Sequence, residues 1–254
     1  VFNPDAVQKV DLLKSSIPAQ YGGRLSSVLD IQLKEGNRKK KEGSFTLAPL
    51  ASSFAYEAPI KKKGAFIIAA RRSWLDLLMT PIMAATTDGE EHFGYNFYDL
   101  SAKANWVLDK KNRIYTSFYT NRDKFSMTWR EDGDVVKINF KWGNELAIFR
   151  WNRIVSPKVF SNLSAFYSNY QYKRNASYQT PSDFYAQNAS SNIRELGVKW
   201  DWEANPHWKD QISWGMKASS LGFNPEITEF ISPEADTTHV PTPTIHSWLL
   251  AGYV

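Results

Sequence analysis

The sequence contains no cysteine, which excludes a disulfide framework, a thiolate metal site and a thiol nucleophile. It also lacks any long hydrophobic run. The longest unbroken apolar stretch is Ala65 to Ala70, far short of the ~20 residues with which a helix crosses a bilayer. No charged segment followed by an apolar one opens the chain at Val1 to Pro4, so the chain is expected to be either a soluble protein or an internal piece of a longer one. No phosphate-binding loop, dinucleotide fingerprint, nucleophile elbow or aspartate-rich calcium loop occurs. His92, His207, His239 and His246 are expected in loops or turns without metal-ligand spacing. Neither an enzyme site nor a metal or cofactor is therefore expected.

Aromatic residues are plentiful, with 10 Trp, 12 Tyr and 15 Phe among 254 residues. The mean hydropathy is nevertheless −0.45. A membrane strand resolves that combination, because it needs only about 9 to 11 residues with every second one apolar. From about residue 43 such alternation recurs. Leu100, Ala102, Ala104 and Trp106 alternate with polar residues, as do Leu196, Val198, Trp200 and Trp202, and again Ile212, Trp214, Met216 and Ala218. Val136 to Ile148 alternates in the same way. A helix would repeat at three and four residues instead.

The connections sort by length. Lys61 to Gly64, Asp109 to Asn112, Ser156 to Lys158 and Asn205 to Asp210 are short. Met79 to Asn96, Asn175 to Ser191 and Asn224 to His246 are expected as long loops, with a briefer one at Arg130 to Asp134. Alternate connections of an up-and-down sheet lie on opposite rims, so one rim should carry tight turns and the other elaborate loops, as in outer-membrane barrels. Trp106, Trp151, Trp202 and Trp208 fall near the tight turns, and Trp74, Trp129, Trp142 and Trp248 nearer the loops, as two interfacial girdles would. The expected class is thus all-β, a partial antiparallel transmembrane barrel of about nine or ten strands over residues 42–254.

Residues 1–41 lack the long alternation. Val10 to Lys14 and Val28 to Leu33 are expected as short strands around a turn at Ser15 to Arg24. Within that region Asp11-Leu12-Leu13-Lys14 and the run Ile17-Pro18-Ala19-Gln20-Tyr21-Gly22-Gly23-Arg24-Leu25-Ser26-Ser27-Val28-Leu29-Asp30-Ile31 resemble the closing segment of the plug domain of TonB-dependent outer-membrane receptors, particularly the Bacteroidetes variety. Glu57-Ala58-Pro59-Ile60 and then Ala65 to Arg72 resemble the first barrel hairpins of the same family, so the motif match covers about the first 78 residues.

The resemblance implies active uptake of a nutrient such as a siderophore, glycan or peptide through a barrel of about 22 strands. The implied partners are outer-membrane lipid and lipopolysaccharide, TonB through an N-terminal segment outside this chain, and a surface lipoprotein lid. Nucleic acid is not expected, because the lysines alternate with apolar residues and occupy the opposite face. Tyr21, Gly22, Gly23, Arg24, Arg71 and Arg72 are the expected plug–barrel contacts. Adjacent Arg71 and Arg72 point to opposite faces of a strand, so one should face the lumen and the other lie near a rim. Asp88, Glu90, Glu91 and His92, with Tyr178 and Tyr185, are the candidate ligand contacts in the outer loops. The alternative is a soluble carbohydrate-binding β module with aromatic platforms, whose apolar faces would close on one another in a sandwich.

Overall fold

The computed structural model describes residues 2–15, 17–23, 26–233, 235–239 and 243–254. Arg24 of the expected plug contacts lies outside them. Among the described residues the strands form two sheets. The first pairs β1 (Val7–Lys14) with β2 (Ser27–Leu33) in antiparallel register. The second is one antiparallel sheet, from β3 (Glu42–Leu47), β4 (Ala51–Ile60) and β5 (Gly64–Ser73) through β6 (His92–Val107), β7 (Asn112–Glu131), β8 (Asp134–Ser156) and β9 (Val159–Gln179). It continues with β10 (Phe184–His207), β11 (Asp210–Ser232), β12 (Ala235–His239) and β13 (Ile245–Tyr253). Each strand from β3 to β12 pairs with the next. β12 and β13 both pair with β11, at its upper and lower ends, so they share one position and the wall has ten positions. Among the described residues β3 forms one open edge, and β12 with β13 forms the other.

Register divides the wall into an inner and an outer face. The inner face, on which β1, β2 and the described residues around them dock, carries Ser53, Arg71, Asp99, Asn121, Asn144, Lys199 and Lys217. The outer face carries Phe54, Ile68, Leu100, Phe118, Phe149, Val198 and Met216. Burial is inverted relative to a water-soluble sheet. Asp99, Ser101 and Asn105 on the inner face are each 2% exposed, whereas Leu196 and Met216 on the outer face are 60% exposed and Leu250 is 79% exposed. The sandwich of the soluble alternative is not formed, because these apolar side chains meet no second sheet. Among the described residues no helix is long and apolar enough to cross a membrane. The wall is a partial antiparallel β-barrel.

Three sequence expectations are corrected. First, residues 175–191 and most of 224–246 are not loops. β9, β10 and β11 run for 21, 24 and 23 residues; β9 and β10 join at the top through residues 180–183, and β10 and β11 join at the bottom through residues 208–209. The polar residues that resemble a loop in fact pair across strands, as Asn175 does with Asn188 through an amide bond of 2.6 Å. His239 and His246 accordingly fall in strands. Twenty-four residues at about 3.3 Å each span roughly 80 Å, well beyond a lipid belt about 25 Å tall.

Second, residues 79–96 contain the end of a helix, α1 (Leu75–Thr86), followed by the start of β6. The helix sits at the upper outer edge, where Asp76 takes Arg72 at 3.5 Å and Asn96 at 3.1 Å, and it exposes Leu77, Leu78 and Ile82. Third, the apolar residues of Val136 to Ile148 lie on the inner face, while Ala147, Phe149 and Trp151 are the outer ones on β8. Trp142 and Trp129 therefore point inward. The lower girdle of Trp106, Trp151 and Trp202 is on the outer face, joined by Trp200 and Trp214.

The link from β2 into the wall passes under a close contact. Gly36 has φ 83°, and a Cβ there would lie 2.4 Å from the Phe66 carbonyl oxygen. Gly36→Ala must adopt a left-handed conformation and also push back a strand backbone, so it is expected to lower stability by about 1–3 kcal/mol. Thermal unfolding in detergent checks this, and an unchanged midpoint would contradict the contact.

Candidate functional site

The N-terminal segment is fixed to the inner face by polar contacts. Ser53 donates to Asp5 at 2.6 Å, Lys103 donates its ammonium to the Leu33 carbonyl at 2.8 Å, and Asn105 bonds both the Glu35 carbonyl at 2.6 Å and Arg38 at 2.7 Å. Phe2 stacks on Tyr119 with ring centroids 4.4 Å apart. A polar cavity of about 590 Å³ remains between segment and wall, lined by Tyr21, Asp30, Lys103, Arg150, Lys199 and Asp201 among others.

Tyr21 reaches the wall, since the Lys199 ammonium lies 5.9 Å from its ring centre. Burial, with Asp30 beside it, pushes the Tyr21 phenol above its usual range and keeps it a neutral donor. Gly23 has φ 76° and turns the chain, and Gly22 caps the short helical turn Ala19–Tyr21. Among the described residues neither glycine hydrogen-bonds to the wall.

Arg71 faces inward and forms a two-pronged pair with Asp99, at 2.8 Å from Nε and 2.7 Å from Nη2. Its guanidinium also lies 4.9 Å from the centre of the Phe97 ring. Arg72 faces outward at the upper edge, beside Asp76 and over Trp74. The bottom rim is trimmed by turns such as Asp109 to Asn112. There the Lys111 backbone N–H, then the Asn112 side-chain and backbone N–H groups, hold the Asp109 carboxyl below its usual range.

Above the Arg71–Asp99 pair the inner face carries an aromatic ladder. Phe97 lies 6.2 Å from Tyr95, Tyr95 6.4 Å from Trp142, Trp142 5.0 Å from Phe140, and Phe140 5.9 Å from Tyr172. It is bounded by hydrogen-bonded carboxylates. Tyr95 donates to Asp123 at 2.8 Å, Asn121 donates to the other oxygen of Asp123 at 2.8 Å, and Tyr172 donates to Glu226, which also meets Arg174 at 3.6 Å. Ring faces with polar edges can stack on flat or sugar-like groups while the fixed carboxylates orient donors.

Of the sequence candidates, Tyr178 and Tyr185 stack at 6.4 Å near the tip of the β9–β10 hairpin, and Tyr178 donates to Asp134 at 2.5 Å. Asp88, Glu90 and Glu91 lie in the turn between α1 and β6, and His92 begins β6. Among the described residues no hydrogen bond, ion pair or ring contact joins this acidic turn to the two tyrosines. Among the described residues no group of three acidic or histidine side chains could hold a metal. The ladder itself was missed because Phe140 and Trp142 alternate as membrane-facing residues would. Nothing in that alternation tells the two faces apart; pairing with β7 and β9 does.

No family model matches the sequence, and no curated protein does. The fold has a counterpart among solved structures. The chain is similar to the ferric yersiniabactin uptake receptor FyuA from Yersinia pestis, with 11% sequence identity and a TM-score of 0.55 over 84% of this chain. It spans 37% of that receptor's length. At this identity the likeness concerns the fold alone.

Proposed function

We propose that the chain is part of a TonB-dependent outer-membrane receptor, with residues 1–41 as the closing segment of a plug and residues 42–254 as the first portion of the barrel. The observation that carries this reading is the inversion of the faces: exposed apolar residues outside, buried polar residues inside, and an N-terminal segment bound to the polar side. The sequence resemblance of the first 78 residues to the Bacteroidetes variety supports it independently. In this reading the protein imports a nutrient and performs no covalent chemistry.

Tyr21, Arg71 and Arg72 with the glycine pair then serve the plug–barrel junction, Arg72 only from the rim. The ligand passes the aromatic ladder on its way to the plug, after contact with Tyr178, Tyr185 and the acidic turn at Asp88 to His92. Outer-membrane lipid surrounds the belt, TonB engages a segment outside this chain, and a lipoprotein lid would cover the upper hairpins. Cell fractionation of the full chain tests the placement. The expected result is recovery in the outer membrane, extraction only by detergent, and gel migration that changes on boiling. A detergent-free soluble species would contradict it.

A further inference from the structure

Above the level of Asp99 the two faces of the wall differ in charge. Lys124, Lys137, Lys141 and Lys173 all lie on the outer face. Among the described residues of β6 to β11, the inner face at this height carries Asp123, Glu131, Asp134 and Glu226 against one cation, Arg174. That cation is already paired with Glu226 at 3.6 Å.

The foot of the aromatic ladder holds a complete cation site. The Arg71 guanidinium lies 4.9 Å from the centre of the Phe97 ring and 2.7 Å from the Asp99 carboxylate, so a ring face and an acid hold one cation between them. The next rung repeats the ring and the acid without the cation. Tyr95 is the next inner-face residue on β6, with Trp142 6.4 Å away. Asp123 accepts from the Tyr95 hydroxyl and the Asn121 amide at 2.8 Å each. Both donors are neutral, and among the described residues no Lys, Arg or His pairs with Asp123. Higher up, Asp134 likewise accepts from a neutral donor, the Tyr178 hydroxyl, beside the stacked ring of Tyr185. Tyr95, Phe140, Trp142 and Tyr172 are only partly buried, so ring surface remains open to a ligand.

We propose that the imported ligand is an organic cation, whose ammonium or guanidinium group sits against the rings of Tyr95 and Trp142 and the carboxylate of Asp123. The proposal rests on the reading of this face as a ligand passage and narrows the class of ligand. Ring quadrupoles attract a cation, and a fixed carboxylate accepts its N–H groups. A neutral sugar would stack on the rings but leave the Asp123 charge unbalanced. An anion would meet four carboxylates and a single arginine that is already paired.

Calorimetric binding to the full chain in detergent tests this, with triarginine, spermine, triglutamate and maltotriose as separate probes. Triarginine or spermine should bind at least about 10-fold more tightly than triglutamate and maltotriose. The tighter of the two cations tells whether the group is carried by a peptide or by a polyamine. D123N should weaken cation binding by about 10-fold and W142L by about fivefold. K61Q/K62Q/K63Q, in the lower turn, should leave it unchanged. Gel migration that changes on boiling, as for the parent chain, shows that each variant is folded. Binding of triglutamate or maltotriose as tight as that of the cations, no binding of either cation, or full cation affinity in D123N would each overturn the proposal. Failure of the membrane reading would appear separately, as a chain that needs no detergent.

Discussion

Val198→Arg lowers the stability of the folded chain in bilayers by about 2–4 kcal/mol, the cost of a cation near the lipid midplane of a barrel. Val198 lies on the outer face of β10, between the charged level of Arg194 and the lower tryptophans, and its side chain is 48% exposed. The size of the effect separates two environments that the same geometry would allow. On a water-facing surface a half-exposed valine can be replaced within about 0.5 kcal/mol. Ala186→Arg supplies the comparison, since it is on the same strand and face but near the hairpin tip, where a change of less than about 0.5 kcal/mol is expected. Denaturant titration of both variants in lipid vesicles measures the difference. Equal, small effects would place the belt in water.

Arg71→Met is expected to cost about 3–5 kcal/mol, because it leaves the Asp99 carboxylate buried without its cation. Asp99 is 2% exposed, and one of its oxygens takes both contacts from the guanidinium. Replacing both partners removes the unpaired charge along with the pair, so Arg71→Met with Asp99→Leu should recover most of the loss. A double variant as unstable as the single one would mean that the guanidinium acts chiefly through Phe97, 4.9 Å away. The pair also lies immediately below the aromatic ladder, so its loss is expected to loosen the lower edge of the proposed ligand surface.

Much of the fold was legible because a membrane strand must alternate. Leu100 to Trp106 and Leu196 to Trp202 show the period plainly, and the structure places these residues outward. Alternation does not by itself reveal which face is lipid. On β8 the inner residues Phe140, Trp142, Leu146 and Ile148 are as apolar as a belt, and only pairing with β7 and β9 assigns them inward. The upper hairpins were hidden by composition. Asn175, Ser177, Asn188 and Ser190 are loop-like residues singly, yet cross-strand bonds hold them in an extended ladder. Helix α1 was obscured by Pro81, which argues against a helix interior but is accommodated in this exposed twelve-residue segment. The candidate site was legible only at its edges. Tyr178, Tyr185 and Arg71 were singled out from sequence, whereas the ladder depends on Phe97, Tyr95, Trp142 and Tyr172 converging from three strands.

The sidedness of the wall is the central claim, and single-cysteine labelling of intact cells tests it most directly, helped by the absence of cysteine from this chain. With a membrane-impermeant maleimide, Asp183→Cys at the upper hairpin should label on intact cells, while Lys62→Cys in the lower turn should label only after the outer membrane is opened. Labelling of Lys62→Cys on intact cells with Asp183→Cys protected would invert the barrel. Equal labelling of both in a soluble fraction would remove it from the membrane altogether.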